Sequence, residues 1–209
     1  MGPLLTKRYY RRWPTHPFTH KSFRPYALAL GQLALAWNDL HESLAMLFCQ
    51  IMGGGYVNQF LAVWHALKSD RSQRDILAAS ISSHLNLPDD ERLKVKKEVE
   101  WICGQANTLE DKRNDALHSP LWSMDRGLPK PTVSPLVGLG HVRANKLLGK
   151  NLLKEFRWCR DGATVLRDYA LQLDEALTRG EPLPNRPSLP NRGDSNEKKP
   201  PRQERKAKP

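Results

Sequence analysis

The chain has 209 residues and carries 33 basic against 22 acidic side chains, with 39 % hydrophobic residues. That length accommodates one ordinary domain with polar ends and excludes a string of domains. Residues 1–25 hold six basic side chains and no acid, residues 180–209 hold eight basic and four acidic, and the middle keeps 19 basic and 18 acidic. A uniformly basic, DNA-wrapping fold is therefore excluded, and the charge lies on two arms suited to phosphate or another anionic surface.

The three cysteines, Cys49, Cys103 and Cys159, are more than fifty residues apart, with no C-x-x-C among them. This argues against a disulfide framework and against a zinc finger, and favours reduced thiols in a cytoplasmic protein. No apolar run reaches the roughly 18 residues of a spanning helix. Tyr26–Trp37 follows a basic stretch as a signal-peptide core would. However, Gln32 interrupts it and its apolar pattern continues as a helical stripe.

In chain order, residues 1–25, with Pro3, Pro14, Pro17 and Pro25, are expected to form an irregular basic arm. Lys7, Arg8, Arg11, Arg12 and Trp13 interleave cations and an aromatic, as single-stranded RNA binders do; a free arm without a ligand is the plainer alternative. From residue 26, Leu30, Leu33, Trp37, Leu40, Leu44, Leu47 and Ile51 step by three and four, which predicts one face of a long helix ended by Gly53-Gly54-Gly55. Phe60, Trp64 and Leu67 predict a second helix over about 57–68. Asp70 and Gln73 suggest a capping box opening a third, to about Leu85. Leu87-Pro88-Asp89-Asp90 starts a fourth, whose stripe is Val95, Val99, Ile102, Ala106, Leu109, Arg113 and Ala116. One member of that stripe is an arginine. Pro120 ends the helix.

Residues 119–148 are rich in proline and glycine and are expected as a loop, with a short hairpin around Asp125-Arg126-Gly127. Leu152, Phe156, Cys159, Ala163, Leu166, Ala170, Leu173 and Leu177 predict a last helix, capped by Gly180. Residues 180–209 are expected to form a disordered, basic, proline-rich tail. No internal repeat is read along the chain. The expected fold is all-α, an up-and-down bundle of four to five helices over residues 26–179, with the 119–148 insertion and disordered basic termini.

The polar cluster that can carry chemistry closes the fourth helix. Asn114 and His118 are four apart and share a face, so the amide could orient the imidazole. Arg113 offers a permanent planar cation for a phosphate, and a histidine can move protons near neutral pH. These are the parts of a metal-free RNA phosphodiesterase in which the ribose 2′-OH is the nucleophile. Five residues separate Arg113 from His118, about 140° around a helix, so a two-fold pair of helices makes a better site than one.

Arg113-Asn114-x-x-x-His118, late in a helix of a small all-α bundle, resembles the signature of the HEPN superfamily. The resemblance implies a dimerising bundle and a metal-independent endoribonuclease, with Arg113 and His118 catalytic and Asn114 supporting. It also implies a setting such as toxin–antitoxin or phage defence, RNA as substrate, a homodimer, an antitoxin protein as a possible partner, and neither metal nor cofactor. The same Arg-x4-His spacing occurs at Arg11 and His16, where Pro14 intervenes.

Plainer readings stand beside this one. Cations in a last helical turn favour the dipole, and Arg113 could pair with Glu110 or Asp111. Lys68, Arg71 and Arg74 could form a phosphate-binding patch or a solvated face. The alternative function is a non-catalytic helical dimerisation or adaptor module, with or without RNA binding.

Overall fold

The computed structural model describes residues 21–83, 87–124, 132–135 and 141–192. Six α-helices are present among them. After a 3-10 turn at Lys21–Phe23, helix α1 spans Arg24–Ile51 with Pro25 in its first turn, where the missing N–H costs nothing. The helix thus begins two residues before its expected start at residue 26. Its predicted stripe is the core: Leu33, Trp37, Leu40, Leu44, Leu47 and Ile51 are all buried. Gly53 and Gly54 stop it with φ of 101° and 67°, left-handed values that glycine adopts without a Cβ clash.

Helix α2 (Val57–Ala66) buries Trp64. Helix α3 (Asp70–Ser80) is capped by Ser69, whose hydroxyl accepts from the Ser72 N–H at 3.1 Å. The expected Asp70/Gln73 capping box is not used, because both side chains turn to α1, Asp70 to Trp37 and Gln73 to His41. A 3-10 turn, Ile81–Ser83, follows. Helix α4 (Asp89–Leu117) opens with Asp89, Asp90 and Glu91, acids that complement the positive end of the helix. Strand β1 (Leu121–Met124) pairs antiparallel with β2 (Thr132–Pro135), Leu121 opposite Pro135. The residues joining them, 125–131, lie outside the described residues. The expected 119–148 loop also contains helix α5 (Val142–Leu147), which was not foreseen; Ala144 and Leu147 anchor it in the core. Helix α6 (Leu152–Arg179) is capped by Asn151, which accepts from the Lys154 N–H at 3.2 Å, and ends at Gly180 with φ 64°.

Side-chain pairs fix the helix directions. Arg160 donates to Gln32 at 3.0 Å and Arg167 lies 3.9 Å from Asp39, so α1 and α6 run parallel. Helix α4 runs against α6: Glu98 meets Tyr169 at 2.6 Å, while eleven residues on Leu109 accepts from the Cys159 thiol. Helix α2 runs against α1, with Phe48 on Phe60 and Glu42 beside His65. Helix α3 runs against α4. Each long helix therefore reverses the one before it, and an odd number of arms leaves the first and last parallel. This is an all-α, up-and-down bundle. Among the described residues no helix is long and apolar enough to cross a membrane.

The chain beyond Gly180 departs from expectation. Residues 181–192 have no helix or strand, yet they lie against α4 and α6, with Leu183 and Leu189 packed on the core. The segment buries too little apolar surface by itself to fold, and it is ordered here because α4 and α6 present aromatic rings to it. Residues 193–209, like the arm 1–20, are outside the described residues.

Candidate functional site

Arg113 points inward from α4, its side chain only 18 % exposed. Its Nη2 donates to Asp70 Oδ2 of α3 at 2.7 Å, and its Nη1 donates to Asn114 Oδ1 at 2.7 Å. The guanidinium lies 4.8 Å from the centre of the Trp37 ring of α1, a cation–π contact. Its Nε is buried without a hydrogen-bond partner among the described residues. Asp70 Oδ2 also accepts from the Trp37 indole at 2.7 Å. Three helices therefore meet on one carboxylate oxygen. Partial burial pushes the Asp70 carboxyl up, but the Trp37 hydrogen bond and the neighbouring Arg113 and Arg74 outweigh it and hold it below the usual range.

A second layer lies one turn along. Arg74 of α3 is fully buried and donates to three groups: Asn107 Oδ1 at 2.9 Å, Glu110 Oε2 at 2.6 Å and His41 Nε2 at 3.0 Å. A guanidinium only donates, so His41 Nε2 is the acceptor and the imidazole is neutral. Its Nδ1–H then donates to Gln73 Oε1 at 2.9 Å, and Gln73 Nε2 donates to the Trp64 carbonyl at 3.2 Å. Burial, with Arg74 and Arg113 nearby, lowers the His41 pKa, although Asp70 and Gln73 act in the opposite sense. The network fixes one tautomer of His41 by geometry alone.

His118 is the C-cap of α4 and is exposed. Its N–H donates to the Asn114 carbonyl at 3.1 Å, which is backbone capping. Among the described residues nothing hydrogen-bonds or ion-pairs with its ring. The anticipated amide–imidazole contact is not made, because the Asn114 side chain orients Arg113 instead. Within one chain, Arg113 faces α1 and α3 while His118 faces solvent, as the roughly 140° between them requires.

The other candidates divide. Lys68 and Arg71 are exposed beside the start of α3, and Arg71 lies 3.7 Å from Glu110. Arg74 is not part of a surface patch: its charge is enclosed by Glu110, Asn107 and His41, and it cannot reach a phosphate. Lys7, Arg8, Arg11, Arg12 and Trp13 lie outside the described residues. Burial pushes the thiols of Cys103 and Cys159 up to about 12, so neither is a nucleophile at neutral pH.

Sequence reasoning missed Trp37, His41, Asp70, Gln73 and Asn107. A signal for one of them was present. Asn107 and Glu110 precede Arg113 and Asn114 at helical spacing, which marks a polar face beside the apolar stripe of α4. The pairing expected for Arg113, with Glu110 or Asp111, is not the one made: Glu110 holds Arg74, and Asp70 holds Arg113.

No family model matches the chain, and no curated protein or solved structure matches it.

Proposed function

We propose that the protein is a metal-independent endoribonuclease of HEPN type whose site is completed by a second copy of the chain. The observation that carries this reading is the pre-set Arg113 on α4, held by Asp70, Asn114 and Trp37, with an exposed, uncommitted His118 capping the same helix. A guanidinium already oriented loses little freedom when a phosphate arrives, and its fork suits the charge of a phosphorane. His118 would take the 2′-OH proton or return one to the leaving oxygen. Since the two groups diverge within a chain, the arginine of one copy would serve the histidine of the other.

Cleavage of RNA in EDTA tests the reading, with His118→Ala expected to abolish it at an unchanged melting temperature. Mixing His118→Ala with Arg113→Ala protein should restore up to about a quarter of parental cleavage. Half of a random mixture is heterodimer, with one intact site of two. No restoration would sink the shared site.

One observation favours a second reading, a non-catalytic dimerisation or adaptor module. Asp70 already neutralises Arg113, and the arrangement is complete without a ligand. Under that reading transcripts survive in EDTA, and His118→Ala behaves like the parent.

A further inference from the structure

The segment beyond Gly180 contains a short repeat that sequence reading passed over: Leu183-Pro184-Asn185-Arg186 and Leu189-Pro190-Asn191-Arg192. Both copies are bound in the same way. Leu183 and Leu189 pack on the core. The Pro184 carbonyl accepts from the Tyr169 hydroxyl at 3.4 Å, and the Pro190 carbonyl accepts from the Trp158 indole at 2.8 Å. Arg186 stacks over Trp101 at 5.4 Å and Arg192 over Trp158 at 5.2 Å. Arg186 Nε donates to Glu98 Oε2 at 2.7 Å, and its Nη2 donates to the Lys97 carbonyl at 3.1 Å. Arg192 Nε donates to Glu155 Oε1 at 3.3 Å, and its Nη2 donates to Glu155 Oε2. Asn185 and Asn191 are exposed.

The receiving side repeats too. Glu98 and Trp101 are three apart on α4, and Glu155 and Trp158 are three apart on α6. This Glu-x-x-Trp spacing sets a carboxylate and an indole face side by side on one helix surface, a socket for one guanidinium. The registers differ in two respects: Trp158 both donates and stacks, whereas Tyr169 and Trp101 divide those tasks, and only Arg186 also reaches a backbone carbonyl, that of Lys97. The single Tyr169 O–H is shared: it points chiefly at Glu98, at 2.6 Å, which steadies that carboxylate, and the 3.4 Å contact to Pro184 is the weaker arm.

The spacings agree. Six residues of extended, proline-rich chain cover about 19 Å. Trp158 and Tyr169, the two ring donors on α6, are eleven residues apart, about 17 Å along the helix. Pro182, Pro184, Pro187 and Pro190 remove backbone donors and stiffen the segment, so little freedom is lost on docking. Leucine, a proline carbonyl and arginine are recognised at each register, and the asparagine is not.

We propose that the outer face of α4 and α6 is a peptide-recognition site with two registers for Leu-Pro-x-Arg, and that residues 183–192 are its built-in ligand. Each register rests on an exposed stack and a partly exposed ion pair, which are individually weak. The covalent tether raises the segment's effective concentration to the order of millimolar, which keeps the site filled. A competing segment must present Leu-Pro-x-Arg twice, six residues apart. The inference does not depend on the catalytic reading.

The test uses the full chain and a labelled peptide of residues 181–192. In an R186A/R192A protein the resident segment loses both stacks and both ion pairs. The peptide should bind this variant at least tenfold more tightly than the parent, and a peptide carrying both Arg→Ala changes should not bind. Equal affinity for the two peptides, no binding to the variant, or unchanged hydrogen exchange of amides 183–192 in the variant would each overturn the proposal. Should the variant fail to fold, the parent answers the same question. Millimolar peptide should speed exchange at amides 183–192 in the parent, and unaltered exchange there would likewise refute it.

Discussion

Arg74 and Glu110 form a buried pair whose two members are not equivalent. Arg74 has no solvent access and three hydrogen-bond acceptors, of which only Glu110 carries charge. Removing that carboxylate leaves an uncompensated guanidinium inside the bundle. Glu110→Ala should therefore lower unfolding stability by about 3–5 kcal/mol, measured by urea denaturation with an unchanged m-value. Arg71, exposed and 3.7 Å from the same carboxylate, should contribute under 1 kcal/mol. At this scale the sequence was half legible. A charged residue at position 113 of an apolar stripe was visible, because spacing along one helix shows it. Its partner Asp70 was not, because 43 residues separate them and only the docking of α3 on α4 brings them to 2.7 Å.

Among the elements, α3 depends on its cap and α6 on one close approach. Ser69→Ala removes the acceptor for the Ser72 N–H and should cost about 1 kcal/mol, read from the thermal midpoint. At Gly162, α6 comes so near α4 that an added Cβ would lie 3.1 Å from Leu109 Cδ1. An alanine there asks only a small shift of the leucine tip. Gly162→Leu asks for a volume the core does not have and should cost about 1–3 kcal/mol or more, visible in a denaturant melt. Helix boundaries were well anticipated where proline, glycine or an acidic first turn marks them, as at Gly53, Pro88 and Gly180. They were poorly anticipated where tertiary contacts decide. Helix α5 has six residues, too few for a periodic signal, and is held by Ala144, Leu147 and the approach of Lys146 to Asp115 at 3.4 Å.

For the whole molecule, the buried polar layers predict a response to acid. His41 is held neutral, with its folded pKa below the ordinary 6.5. As pH falls through 6.5 the unfolded chain binds a proton that the folded chain does not, so stability is full above that value and declines below it. Asp70 and Glu98 have lowered pKa values, so their contributions are lost only as pH falls through the ordinary 3.8 and 4.5. The melting temperature should thus drop between pH 7 and pH 5.5. His41→Gln should flatten that slope while leaving the steeper loss below pH 4.5. A parent and variant of equal slope would show that His41 is not the group responsible.

The linear order of residues determined the all-α class, the core stripes of α1, α4 and α6, and the breaks between them, because apolar periodicity and turn chemistry act over a few neighbouring residues. It also marked Arg113, Asn114 and His118 as unusual. Only the packed bundle decided where those side chains point, that Arg74 is enclosed, and that the proline-rich segment after Gly180 docks. Those outcomes depend on partners dozens of residues away, and a partner is available only once the helices have fixed its direction and distance.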